Sequence, residues 1–301
     1  MQNTRLDNLR KNNKHLIMNL RGKIKFAEIT HVGMVREHNE DAIGSNADIG
    51  LMVLADGMGG YNAGEVASGI AVQTISELAA EGAMREERNE RDPTTGLMRQ
   101  TIVLRDAVAR ANKIIFQTAQ SQTHCEGMGT TLVAAIFYDD KLSVAHVGDS
   151  RAYRLRAGRF EQLTLDHSLL QELVDRGFYS EEEAQRSTNR NYVTRALGVE
   201  PTVEVEVQEF EVLPDDVYLL CSDGLPDMVE DEDIHLTIST FNASLDVVGQ
   251  QLVELANDHG GRDNVSVMMA QVMDSFPAKR SFLQRLTKLF GSIGWGNMGK
   301  G

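Results

Sequence analysis

Carboxylates placed beside glycine at the ends of apolar runs recur along this chain. Asp56 follows Leu51–Ala55 and opens Asp56-Gly57-Met58-Gly59-Gly60, and Asp149 stands in His146-Val147-Gly148-Asp149-Ser150-Arg151. Asp223 and Asp227 follow Val217–Cys221 in Ser222-Asp223-Gly224-Leu225-Pro226-Asp227, while Asp263 lies in Gly261-Arg262-Asp263-Asn264 and Glu40 and Asp41 end Arg36-Glu37-His38-Asn39-Glu40-Asp41. Any one Asp-Gly after a strand is an ordinary turn. Three carboxylates directly after apolar runs ask for more, because antiparallel strands gather their ends on one rim, where carboxylates repel unless cations lie between them.

Oxygen ligands alone select hard cations, so Mg²⁺ or Mn²⁺ is expected rather than Zn²⁺, and none of the eight histidines has a paired ligand spacing. Two such ions about 3.5–4 Å apart lower the pKa of a shared water and clamp both oxygens of an in-line phosphoryl displacement. Hydrolysis of a phosphate ester is the chemistry this implies. Arg36, four residues before Glu40, can hold the non-reacting phosphate oxygens bidentately. His146 and His167 read as ordinary hydrogen-bonding histidines, and Cys221, inside an apolar strand, as a small core side chain. The glycine run after Asp56 lacks the Lys-Ser/Thr ending of a phosphate-binding loop, so close approach of backbone to metal is its better reading.

Strands must carry these groups. Periodicity places them at Phe26–Val32, Leu51–Ala55, Thr130–Tyr138, Leu142–Val147, Arg151–Leu155, Phe160–Leu163, Val203–Val212, Val217–Cys221 and Val265–Val272. The four from Thr130 to Leu163, joined by turns at Asp139-Asp140 and Ala157-Gly158, read as one antiparallel meander. Apolar residues at helical spacing predict helices over 63–80, 97–120, 231–239 and 245–258, with a short one at 169–176 inside a polar surface insertion, 164–198. Helix pairs flanking strand-rich segments imply an α+β fold, two packed antiparallel β-sheets with helices on both outer faces, four layers αββα.

The chain has 301 residues and a net charge of −14. Residues 1–25 hold seven basic and one acidic side chain, residues 275–301 five basic and none acidic, so the body between carries −25. Such an acidic body excludes general nucleic-acid binding through phosphate neutralisation. The longest apolar stretch, Leu132–Tyr138, is far short of a transmembrane segment. Two cysteines, one of them in a strand, point to a reducing, cytoplasmic setting.

The segments Gly33-Met34-Val35-Arg36 through Asn39-Glu40-Asp41, Asp56-Gly57-Met58-Gly59-Gly60, Met128-Gly129-Thr130-Thr131, Val147-Gly148-Asp149-Ser150-Arg151-Ala152-Tyr153, Ser222-Asp223-Gly224-Leu225 and Arg262-Asp263-Asn264 occur in this order. Together, over about residues 25–273, they resemble the metal-dependent protein phosphatase family of the PP2C or PPM type, in its bacterial serine/threonine form. The resemblance implies that Asp56 bridges two metals, with the Gly57 carbonyl on the first and Asp223 and Asp263 on the second. It places Glu40 and Asp41 on metal-bound waters, Arg36 on the substrate phosphate, and Asp149 with Asp223 and Asp227 on a third, weaker ion. It makes 166–197 the family's variable flap. One departure stands out: animal members have a histidine, proposed as general acid, where this chain has Met58, which has no proton to donate.

The function so implied is hydrolysis of phosphoserine and phosphothreonine esters by a water bridging two metals, reversing a bacterial Ser/Thr kinase in signalling. Two other readings differ in class. An inactive phosphatase-like domain that only binds a partner would need a lost ligand, and every matched ligand is present; a two-metal phosphoesterase acting on nucleotides sits poorly with the acidic body. Outside the catalytic domain, 25–274, lie a basic N-terminal extension, 1–24, and a basic tail, 275–301. In the tail Phe282, Leu283, Leu286, Leu289, Phe290 and Ile293 recur at helical spacing opposite Arg280, Gln284, Arg285 and Lys288. This amphipathic helix is expected to dock on the protein itself or a partner, and only weakly on a membrane.

Overall fold

The computed structural model describes residues 20–60, 63–83, 90–180, 192–240 and 244–277. Two antiparallel sheets stack face to face. The first joins β1 (Ile24–His31), β11 (Val265–Val272), β10 (Val217–Cys221), β7 (Arg151–Arg156) and β8 (Arg159–Gln162), in that spatial order. The second joins β2 (Asp41–Asn46), β3 (Leu51–Met58), β5 (Leu132–Tyr138), β6 (Lys141–Val147) and β9 (Glu206–Glu211), with the short β4 (Gly129–Thr130) paired to the end of β3.

Central strands apolar on both faces are what burial between two layers requires. All seven residues of β5 are buried, those of one face meeting the other sheet and those of the other meeting helices. Met52, Leu54, Val133, Ala135 and Phe137 thus join Tyr218, Leu220, Met268 and Ala270 in the inter-sheet core. Leu51, Val53, Ala134 and Ile136 pack under α1 (Ala63–Ala83) and α2 (Arg99–Ser121). On the opposite outer face Leu219, Val267 and Met269 pack under α4 (Asp231–Thr240) and α5 (Leu245–Asp258). The four layers αββα expected from the sequence are those observed.

Two expectations need correction. The stretch from Thr130 to Leu163 is not one meander: the β5–β6 hairpin belongs to one sheet and the β7–β8 hairpin to the other, and the chain crosses between them at Gly148–Ser150. The left-handed backbone of Gly148, φ +106°, permits that crossing, and a Cβ there would press on the Thr131 side chain. The insertion is also not purely superficial. Ser168 caps α3 (Leu169–Asp175) through its hydroxyl, Leu170, Ala196 and Leu197 are buried, and Leu197 pairs with Thr130. The amphipathic helix read in the tail falls in 278–301, outside the described residues.

Candidate metal centre

The strand ends place the acidic residues. Asp56 sits near the end of β3, Asp41 begins β2, and the two are Cα partners across the ladder. Asp149 follows β6 of the same sheet, at the crossing to the other, while Asp223 follows β10 and Asp263 precedes β11, so the other sheet offers its groups at the same edge. The sheets are joined there by polar contacts: the Ser222 hydroxyl donates to Asp41 Oδ2 at 2.8 Å, and the Thr131 and Ser150 hydroxyls lie 2.7 Å apart. Thr131 also receives the Asp56 N–H on its hydroxyl at 3.2 Å and donates its own N–H to the Asp56 carbonyl at 2.8 Å.

Gly57 lies where a side chain has no room, since a Cβ would overlap the carbonyl oxygens of Gly64 and Glu40. The Gly57 N–H donates to the Glu40 carbonyl, which also receives the Ser68 hydroxyl, and the Glu40 carboxylate is held by the backbone of Gly64. Arg36 stands at the side of the cluster and donates to Asp263 Oδ2 at 2.6 Å. Its loop is anchored by Asn264, whose Oδ1 accepts the Glu40 N–H and whose Nδ2 donates to the carbonyls of Val32 and His38. Asp227 follows one turn after Asp223, donating its N–H to the Asp223 carbonyl at 2.9 Å.

These carboxylates are held against their electrostatic preference. Burial, and then the charge of Asp41 followed by those of Asp223, Asp149 and Asp263, pushes the Asp56 carboxyl well up; burial and the charges of Asp149, Asp227, Asp263 and Asp41 do the same to Asp223. Asp41 and Asp149, 9% and 8% exposed, are each raised to about 6, chiefly by desolvation. Glu40 is raised by burial against the opposing pull of Arg36 and Gly64. Asp41 Oδ1 and Asp223 Oδ1 are buried with no hydrogen-bond partner. A buried carboxylate oxygen left unpaired is costly, and a hard cation satisfies it, so the donor set fits Mg²⁺ or Mn²⁺.

A second group of donors lies behind this rim. His146, His167 and Glu206 present ring nitrogens and a carboxylate oxygen within 4.8 Å of one another. The hydrogen bonds dispose of them otherwise than as ligands. His146 Nε2 donates to the Leu165 carbonyl at 2.9 Å, and His167 Nδ1 accepts the Gly148 N–H, which puts the His167 ring proton on Nε2, 3.4 Å from Glu206 Oε2. Burial lowers both histidine pKa values and keeps the stacked rings neutral. Both belong to a structural network, as their sequence setting led one to expect. Cys221 is fully buried with its thiol pKa pushed up, in keeping with a core role.

The structure therefore brings Arg36, Glu40, Asp41, Asp56, Gly57, Asp149, Asp223, Asp227 and Asp263 to one region. Ser222, Thr131, Ser150 and Asn264, which hold them, had no role in the sequence reading, although each adjoins or lies inside a quoted motif.

Comparison with known proteins agrees with this geometry. Residues 34–258 match the family model described as Protein phosphatase 2C. A relative named serine/threonine phosphatase stp, from Listeria welshimeri, is 39% identical over 251 residues, covering 80% of this chain and 93% of that protein. The crystal structure of the Mycobacterium tuberculosis serine/threonine phosphatase PstP/Ppp superposes with a TM-score of 0.73 at 37% identity, over 83% of this chain and 99% of that one. A structure of the catalytic domain of PstP in complex with two manganese ions superposes with a TM-score of 0.70, also at 37% identity and with the same coverage. The chain belongs to the protein phosphatase 2C family.

Proposed function

We propose that this chain is a metal-dependent protein serine/threonine phosphatase that hydrolyses phosphoserine and phosphothreonine esters. The observation that carries the reading is the convergence of Asp41, Asp56, Asp149, Asp223 and Asp263 from two sheets on one rim, with buried carboxylate oxygens unpartnered and Arg36 alongside. The names of its relatives, and the two manganese ions in the PstP structure, support it.

Asp56 and the Gly57 carbonyl would hold one Mn²⁺ or Mg²⁺ and Asp56, Asp223 and Asp263 another, with Glu40 and Asp41 acting through waters. Asp149, with Asp223 and Asp227, would hold a third, weaker ion. Bound there, the ions supply a water of lowered pKa and neutralise charge around the phosphoryl group. Arg36 has five N–H donors and spends one on Asp263, so the same guanidinium can take phosphate oxygens while that ion pair persists. Met58, paired with Gly129, has no proton to give, so leaving-group protonation comes from water or from another residue.

Phosphoproteins are the substrates, and a cognate Ser/Thr kinase in the cytoplasm is the opposing enzyme. No helix among the described residues is long and apolar enough to cross a membrane. We take 25–274 as the catalytic domain with its flap at about 166–197, 1–24 as a basic extension, and 275–301 as a tail that docks on the acidic body or on a partner. The decisive assay is hydrolysis of a phosphothreonine peptide with Mn²⁺, with Mg²⁺ and with excess chelator. Full activity in chelator would overturn the metal mechanism.

A further inference from the structure

We infer that His167 is a positioning residue for Asp149: by clamping both polar groups of Gly148, it fixes the turn that carries the carboxylate of the third, weaker cation site. This rests on the reading of Asp149 as a ligand of that site.

Gly148 is the residue before Asp149 and takes a left-handed backbone, φ +106°, at the point where the chain crosses from one sheet to the other. A crossing built on glycine has little conformational preference of its own and needs outside restraint. His167 supplies it twice. Its backbone N–H donates to the Gly148 carbonyl at 2.9 Å, and its ring Nδ1 accepts the Gly148 N–H at 3.1 Å.

The ring is itself held on every side. It stacks on His146, with centroids 4.7 Å apart and planes 17° apart. Its Nε2–H faces Glu206 Oε2 at 3.4 Å. The His167 carbonyl receives the Thr194 N–H at 2.8 Å, and the neighbouring Ser168 pairs with Val193. The His167 ring thus joins the Asp149 turn to the first residue of β9, and its backbone joins both to the 192–195 segment. A partner bonded to a ligand ordinarily accounts for about tenfold to a hundredfold in metal affinity; His167 acts one residue removed, through both polar groups of Gly148.

The two ring nitrogens can be separated by substitution. In His167→Asn the carboxamide oxygen falls near the place of Nδ1 and can still accept the Gly148 N–H; in His167→Gln the carboxamide falls near Nε2, keeps Glu206 in reach and abandons Gly148. Mn²⁺ binding to the full chain, followed by titration calorimetry and by the electron paramagnetic resonance of free Mn²⁺, is to be measured for wild type, both variants and Asp149→Ala.

Wild type is expected to bind two ions tightly and a third more weakly, with Asp149→Ala lacking the third. His167→Gln is expected to weaken the third ion about tenfold or more while leaving the first two unchanged, and His167→Asn to stay within about threefold of wild type. Equal losses in the two His167 variants, or weakening of all three ions together, would mean a merely structural histidine and overturn the inference. If Asp149→Ala abolished the weak ion while His167→Gln bound it normally, the inference alone would fall. If Asp149→Ala kept the weak ion, the ligand reading would fall and His167's role with it.

Discussion

Asp41 and Asp56 are directly opposed across the β2–β3 ladder, two carboxylates on facing residues of an antiparallel pair. Like charges so placed destabilise a sheet, and burial worsens the repulsion. The folded protein lowers this cost by keeping protons: Asp41 and Asp149 are raised to about 6, and Asp56 and Asp223 are also raised. Between the ordinary carboxyl pKa of about 3.9 and about 6, the folded state holds more protons than the unfolded one. Stability contributed by Asp41 and Asp149 is therefore complete below that window and lost as pH rises through it. The two neutral histidines act in the opposite sense, being protonated more readily when unfolded.

The contrast between metal-bound and metal-free protein at one pH isolates the carboxylates. The rise in Tm produced by saturating Mn²⁺ should be small at pH 5 and several degrees larger at pH 7.5, with protons released on binding at the lower pH. A Tm increment independent of pH, measured by calorimetry in matched buffers, would contradict the coupling.

Asp263 bonds Arg36 and is also an expected ligand, so the two must be separated kinetically. Arg36→Ala should lower kcat/KM about tenfold to a hundredfold, mainly through KM for phosphate esters, the scale of a charged hydrogen bond. Asp263→Asn should lower kcat by more than about a hundredfold and raise the Mn²⁺ concentration needed, more than loss of an outer partner would. Near-normal turnover of Asp263→Asn at all metal concentrations would remove it from the ligand set.

Ser222 donates to Asp41 and accepts the Ser266 N–H at 3.0 Å, both inside the fold. Ser222→Ala removes the hydroxyl that the buried Asp41 carboxylate and the buried Ser266 N–H both use. A loss of about 1–3 kcal/mol in urea unfolding is expected, with weaker Mn²⁺ binding.

Asn264 anchors the Arg36 loop through three hydrogen bonds. Asn264→Ala should destabilise by about 2–4 kcal/mol and raise KM for a phosphopeptide, because Arg36 loses its fixed position. An unchanged KM in a folded variant would show that the loop is held elsewhere.

The elements that sequence alone located best, β10, β11 and α5, are those with a continuous apolar run or a full helical stripe. β2 left no such trace. Its sequence, Asp-Ala-Ile-Gly-Ser-Asn, has weak strand preference, and Gly44 is there because Val72 of α1 packs close over it. Sheet membership was equally hidden: nothing local to Val147–Arg151 says that the next hairpin joins the other layer, since that depends on partners far along the chain. The acidic residues were legible because carboxylates at strand ends are conspicuous. The hydroxyls and the amide that hold them were not, for serine, threonine and asparagine in loops form no pattern until the fold brings their partners near.

The pairing of β1 with β11 has a consequence for biosynthesis. Ile24 meets Val272 and His31 meets Val265, so the opening strand of the domain finds its hydrogen-bonding neighbour only when the closing strand exists. At roughly 5–20 residues per second, that is a wait on the order of 12–50 s on the ribosome. Throughout it the backbone of β1 has no ladder to join, and Asp263, next to β11, is among the last groups of the acidic rim to emerge. Nascent chains arrested before β11 should therefore be protease-sensitive and hold chaperones, while chains released beyond it should acquire resistance in one late step.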